Sequence, residues 1–177
     1  AILWDNAVVL TQPMDPDLHK LAPSFETMVD IIDTYRSLGV VANEVADFLR
    51  AHGYGAQASP AVGQFVDYPR PAERAGRGWR GRFGILISPA HGPCQRVAAV
   101  YTSIENLPLP RENPHAWIAD WCERCGRCIR KCPGKAVYEE PRENEHGQTT
   151  FIDGSRCMTQ FETRYSCSVC VKECVFF

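Results

Sequence analysis

The sequence predicts an α/β domain, in its α+β variant, followed by a compact cysteine-rich module. Three observations carry this. Apolar segments with helical spacing and with strand character alternate through residues 4–102. Residues 105–115, ENLPLPRENPH, hold three prolines and form a linker. Eight of the nine cysteines then fall in the last 56 residues. The expected division is therefore a domain over residues 1–110 and a module over residues 116–177.

Trp4 to Leu10 reads as a short buried strand. Ser24 to Leu38 follows Pro23 and places Phe25, Met28, Val29, Ile32 and Tyr35 at helical spacing, with Asp30 and Asp33 outward. Gly39 is expected to interrupt. Val40 to His52 then reads as a second amphipathic helix through Val41, Val45, Phe48 and Leu49, closed by Gly53. Ala56 to Pro60 leads into a loop, and residues 69–82, PRPAERAGRGWRGR, read as a loop with no apolar period. Phe83 to Ser88 and Val97 to Thr102 are buried strand candidates. Glu139 to Gln148 is polar and reads as a solvated insertion between two cysteine runs.

Composition narrows the classes. With 45% hydrophobic and 23% charged residues the chain can build a core. No apolar stretch approaches the ~18 residues that span a bilayer. The N-terminus has no basic region, so no signal peptide is expected and the setting is read as cytoplasmic and reducing. The chain does not begin with Met, which points to processing or to a start inside a longer protein. A net charge of −2 argues for neither a nucleic-acid protein nor an acidic tail.

The cysteines carry the chemistry. A disulfide scaffold would spread them as staples, whereas clustering at one end with tight spacing reads as metal ligation. Cys122-x2-Cys125-x2-Cys128-x3-Cys132-Pro133 is the bacterial ferredoxin run for [4Fe–4S] ligation. Three thiolates at two-residue intervals reach three corners of one cubane, and Gly126 helps the backbone close around it. The fourth cysteine of such a run ligates the other cluster. The second run, Cys167-x2-Cys170-x3-Cys174, has Arg164 where its leading cysteine would fall, and Cys157 is the replacement. The expected sets are Cys122, Cys125, Cys128 and Cys174 for one cluster, and Cys132, Cys157, Cys167 and Cys170 for the other. A zinc site, or one cluster with spare thiols, are the alternatives.

The residues before the module resemble the corrinoid and iron–sulfur region of epoxyqueuosine reductases and respiratory reductive dehalogenases. The likeness runs through Phe65-Val66-Asp67, Glu73-Arg74, Ala75-Gly76-Arg77-Gly78-Trp79-Arg80-Gly81, Leu86-Ile87-Ser88-Pro89 and Gly92. It continues through Val100-Tyr101-Thr102 and Leu107-Pro108-Leu109 into the cysteine run, and upstream includes Val40 to Arg50 with Gly53-Tyr54. The resemblance implies a cobalamin-domain-like sheet with helices and a docked ferredoxin-like module with two [4Fe–4S] clusters. It also implies cobalamin as a further cofactor. Asp67 is implied as the general acid, with Tyr68 as a second candidate donor; the plain alternative for Asp67 is a turn residue before Pro69. The segment between Asp67 and the glycine loop is shorter than in the epoxyqueuosine reductases. Extra sheet elements, a C-terminal helical-repeat domain and a twin-arginine leader are not seen, so the chain reads as a short or N-terminally reduced member whose corrinoid pocket needs another chain.

Gly76, Gly78 and Gly81 fit a loop where backbone approaches a ligand closely, and Trp79 suits either a planar ligand or a core. The spacing is not the dinucleotide fingerprint. Arg70, Arg74, Arg77, Arg80 and Arg82 suit a phosphate, in a cobalamin tail or a nucleic acid, or a solvated loop docking an acidic electron donor. His91 and Cys94 flank a Gly92-Pro93 turn, where an axial-ligand or redox role is open to either. The expected function is reductive cleavage of a C–O or C–halogen bond in a small-molecule substrate, fed by a ferredoxin- or flavodoxin-type donor. The rival is an electron-transfer subunit that docks on a partner enzyme and has no substrate of its own.

Overall fold

The computed structural model describes residues 1–59, 67–145 and 147–177. Pro60, Phe65 and Val66 lie outside the described residues. The first part is a three-stranded antiparallel sheet of β1 (Asn6–Pro13), β5 (Gln95–Thr102) and β2 (Ala56–Ala58), in the order β1-β5-β2. β5 is central because it is apolar on both faces, and Ala98, Ala99 and Val100 are fully buried. The predicted strand at Val97 to Thr102 is therefore present, two residues longer. The strand expected at Trp4 to Leu10 instead runs from Asn6 to Pro13, pairs among the described residues only with β5 and is half-buried. Trp4 lies outside it and packs on Gly55, where an added Cβ would meet the indole at 2.3 Å.

One face of β5 carries α2 (Phe25–Ala51), a single 27-residue helix. Ser24 caps it by accepting from the Thr27 N–H at 3.2 Å, and Gly53 follows its end at φ 84°. Gly39 does not interrupt the helix. A mid-helix glycine costs about 1 kcal/mol, and burial of Leu38 and Ala42 on either side offsets it. The buried face is also not the expected one. Thr27, Ile31, Thr34, Leu38, Ala42 and Ala46 are buried, with Leu38, Ala42 and Ala46 against the sheet, while Phe25, Val29 and Ile32 are exposed. Small side chains win because the helix lies close over Ala98 and Val100. Asp30 is not outward either: its Oδ2 sits 3.4 Å from Nδ1 of the buried His19, on α1 (Pro16–Lys20).

The other face of β5 packs Ala99 and Tyr101 against Tyr68. Tyr68 precedes α3 (Pro69–Arg74), a short helix where a loop was expected; prolines in its first turn start it without needing their missing N–H groups. Next come β3 (Trp79–Arg80) and β4 (Leu86–Ile87), a two-stranded ribbon. The strand expected over Phe83 to Ser88 shrinks to Leu86–Ile87, because Gly84 at φ 77° makes a turn.

The cysteine-rich part contains α4 (Trp117–Cys125), α5 (Arg127–Lys131), β6 (Val137–Glu143), β7 (Thr149–Ile152), α6 (Gly154–Thr163) and α7 (Val169–Lys172). The polar stretch from Glu139 forms the exposed β6–β7 hairpin. One core runs across both parts: Met14, Ile31, Phe83, Ile87 and Cys94 pack with Ile118, Cys122, Cys128, Val137 and Val171. Among the described residues no helix is long and apolar enough to cross a membrane.

Candidate iron–sulfur and corrinoid site

The eight cysteines of the C-terminal part are all free thiols, and their electrostatic neighbours sort them into two groups. Cys128 feels Cys122, Cys174 and Cys125, and Cys174 in turn feels Cys122 and Cys125. Cys157 feels Cys132 and Cys167, and Cys170 feels Cys157, Cys167 and Cys132. Cys170 also feels Cys128, which brings the two groups next to each other.

Local backbone explains the grouping. Gly126, at φ 55°, ends α4 and starts α5, turning the chain between Cys125 and Cys128. Cys132 ends α5 in an extended conformation, so it leaves the loop of the first three. Around Cys167 the chain runs left-handed through four successive non-glycine residues, Tyr165, Ser166, Cys167 and Ser168, at φ 45°, 58°, 40° and 49°. Each such residue costs about 1–2 kcal/mol, and runs of them persist only where the surroundings over-determine them.

Backbone amides point at these sulfurs. The N–H of Ala136 donates to Cys132 at 3.2 Å, and the backbone amides of Arg82, Ile129 and Phe176 face Cys122, Cys128 and Cys174 closely enough to favour their thiolates. Burial is nonetheless the larger influence. It pushes the Cys128 thiol up to about 12 and Cys174 to about 11, and it raises Cys122, Cys157 and Cys170. Cys94, outside both groups, is buried with its Sγ 3.7 Å from the Met14 carbonyl, and burial raises it to about 11. His91 is exposed. Among the described residues no three His, Cys, Asp or Glu side chains are placed to hold a single metal ion.

The iron-free chain should therefore lose stability with rising pH. These thiols have an ordinary value of 9.0, and Cys94, Cys128 and Cys174 lie at about 11 to 12 when folded. Between those limits the folded state binds more protons, so stabilisation present below pH 9.0 is lost progressively as the pH rises through the folded values. Urea midpoints of chelated protein should fall across this window; a flat profile would contradict the burial described.

A cleft opens beside the first group, lined by Cys122, Cys125, Cys128 and Cys174 with Arg82, Phe83, Trp121 and Phe176 among its walls. Trp117 and Trp121 meet Phe176 edge-on at 5.8 and 6.2 Å. Arg82 was read in the sequence only as part of a basic loop, and the aromatic wall was not foreseen. A half-buried arginine and a solvated one have the same local signal.

Asp67 is 44% exposed and its Oδ2 pairs with Arg80 at 2.9 Å. Arg80 also binds Glu73, through Nε at 2.8 Å and its backbone N–H at 2.7 Å. The burial that a proton donor at this position would draw on is thus not supplied by the described residues. Tyr68 is buried, 5% exposed, against Ala99 and Tyr101. The three loop glycines are each explained by the protein's own packing. A Cβ on Gly78 would meet the Ile87 carbonyl oxygen at 2.2 Å; on Gly81, the Ile87 and Phe83 side chains at 2.8 and 2.9 Å; on Gly76, at φ 66°, Pro110 at 3.0 Å. Trp79 packs against the shared core. Asn113 pins the loop to the linker by donating to the Glu73 and Gly78 carbonyls at 2.7 and 2.9 Å.

No family model matches the chain. Individual proteins do. The tetrachloroethene reductive dehalogenase of Sulfurospirillum multivorans is 31% identical over 97% of this chain and 35% of its own length. The epoxyqueuosine reductase of Listeria monocytogenes is 27% identical over 59% of this chain and 28% of its own. A solved reductive dehalogenase, whose structure is said to suggest a mechanism for B12-dependent dehalogenation, superposes with a TM-score of 0.78 at 23% identity, over 95% of this chain and 25% of that one. The mixed α/β fold with small sheets is thus shared with a reductase class. The chain is similar to reductive dehalogenases and epoxyqueuosine reductases, and spans about a third of the length of the dehalogenases it matches.

Proposed function

We propose that this chain is the electron-delivering part of a corrinoid-dependent reductase. Cys122, Cys125, Cys128 and Cys174 hold one [4Fe–4S] cluster, and Cys132, Cys157, Cys167 and Cys170 the other. The observation that carries the reading is the sorting of eight thiols into two adjacent fours, with the last cysteine of each run in the other run's group. Backbone amides facing four of the sulfurs and the left-handed turn at Cys167 fit the same donor set. When bound, the clusters would supply single low-potential electrons to a corrinoid.

The chain's own residues supply the rest. Arg80 and Arg82 stand two residues apart; the first holds Asp67 and the second lines the cleft of the first thiol group. The glycine loop therefore joins the acid candidate to the cluster candidate over a short stretch. The Arg80 pair holds Asp67 as a carboxylate, so Asp67 would deliver a proton to a leaving oxygen or carbon only where a bound corrinoid and substrate displaced that pair and let it take up a proton. A general acid contributes roughly 100-fold or more, so Asp67→Asn should lower turnover by at least that factor in the corrinoid-loaded protein with iron content unchanged. Normal turnover would remove Asp67 from the reaction.

The exposure of Asp67 favours a second reading, an electron-transfer subunit that docks on a partner and has no substrate. Anaerobic titration with cobalamin decides between the two. Tight binding with dehalogenation or epoxide reduction under a low-potential reductant supports the reductase; two clusters with no corrinoid binding supports the subunit.

A further inference from the structure

We propose that Arg82 raises the reduction potential of the cluster held by Cys122, Cys125, Cys128 and Cys174, so that an electron shared between the two clusters rests on this one. The inference depends on the two-cluster reading above.

Arg82 lines the same cleft as the four thiols. Its side chain is only 14% exposed, and its Nε is buried with no hydrogen-bond partner. Burying part of a guanidinium without an acceptor is costly unless an anion faces it. The Glu140 carboxylate is 3.8 Å from the guanidinium but 88% exposed, so water screens much of that attraction. The backbone amide of the same residue faces Cys122 and favours its thiolate. Arg82 thus offers the first thiol group both an amide donor and a permanent charge, since arginine does not deprotonate in proteins.

Reduction adds one electron to a cluster and no proton, so the reduced form carries the extra negative charge. A fixed cation and an N–H donor stabilise that form more than the oxidised one, which raises the potential. Arg127 is the other cation near this group, but it is 49% exposed and bound to Glu173 at 3.0 Å, which largely cancels its charge. In the second group Cys132 accepts from the neutral Ala136 amide. The asymmetry gives the electron a direction: towards the cluster beside the Arg80–Asp67 end of the glycine loop.

The test is a poised dithionite titration of the full cluster-loaded chain, followed by electron paramagnetic resonance. Arg82→Met keeps the apolar stem, the backbone N–H and the volume while removing the charge. It should move one cluster's midpoint to a more negative value and leave the other in place, while Arg82→Lys stays close to the unaltered protein. If Arg82→Met keeps its iron and neither midpoint moves, the proposal is overturned. If Arg82→Met loses one cluster's iron, Arg82→Gln carries the test: it keeps a hydrogen-bonding head without the charge, the same midpoint should again become more negative, and no movement overturns the proposal. Failure of the unaltered chain to bind two clusters would instead overturn the reading on which this rests.

Discussion

Cys122→Ser and Cys132→Ser should each lower the iron content from about eight to about four per chain, and the double substitution should lower it to about none. The two residues sit in one sequence run yet fall in different thiol groups: Cys122 neighbours Cys125, while Cys132 neighbours Cys157 and Cys170. If each run closed its own cluster, both substitutions would strike the same site and the double variant would keep about four irons. Iron analysis of the three variants therefore reads the crossing of the ligands directly. Cys94→Ser is the control. That thiol is buried against Met14, outside both groups, and its loss should leave the iron content unchanged.

Gly92→Ala should be the most damaging single-atom change outside the cysteines. Gly92 adopts φ 52°, and a Cβ there would lie 1.9 Å from the Phe176 carbonyl oxygen. That oxygen belongs to the backbone beside Cys174, so the collision cannot be relieved by a side-chain rotation. The left-handed conformation and the backbone clash together should cost roughly 3 kcal/mol. The C-terminal tail must move, and the Phe176 amide that faces Cys174 moves with it. The variant should show a lower denaturation midpoint and preferential loss of the iron bound through Cys174. Gly154→Ala, with open space around it and no left-handed backbone, should be close to neutral.

The proposed cluster ligands, including the crossing of Cys132 and Cys174, were read from the cysteine spacing because ligand geometry is local: two-residue intervals and a following extended residue are set by the chain itself. β5 was legible because it is apolar on both faces. What failed was set by tertiary packing. The helix α2 runs through Gly39 because both flanking turns are buried, and it buries Ala42 and Ala46 because the sheet is close. Of the apolar residues that carried the helical pattern, Phe25, Val29, Ile32, Val41 and Phe48 face outward, while Tyr35, Val45 and Leu49 pack at the edges of the cores. The glycines of the loop announced a close approach, and the approaching group is the protein's own Ile87 backbone and Pro110 ring. No local pattern distinguishes that from a ligand. Arg80 and Arg82 looked alike in the sequence, yet one is held by two carboxylates and the other lines the thiol cleft.

The most direct test of the central claim is iron and acid-labile sulfide analysis, with a visible spectrum, on protein purified without oxygen. The account predicts about eight irons and eight sulfides per chain, as two cubanes require, with a brown charge-transfer band that bleaches on reduction. About four irons, or zinc bound by a colourless protein, would contradict it.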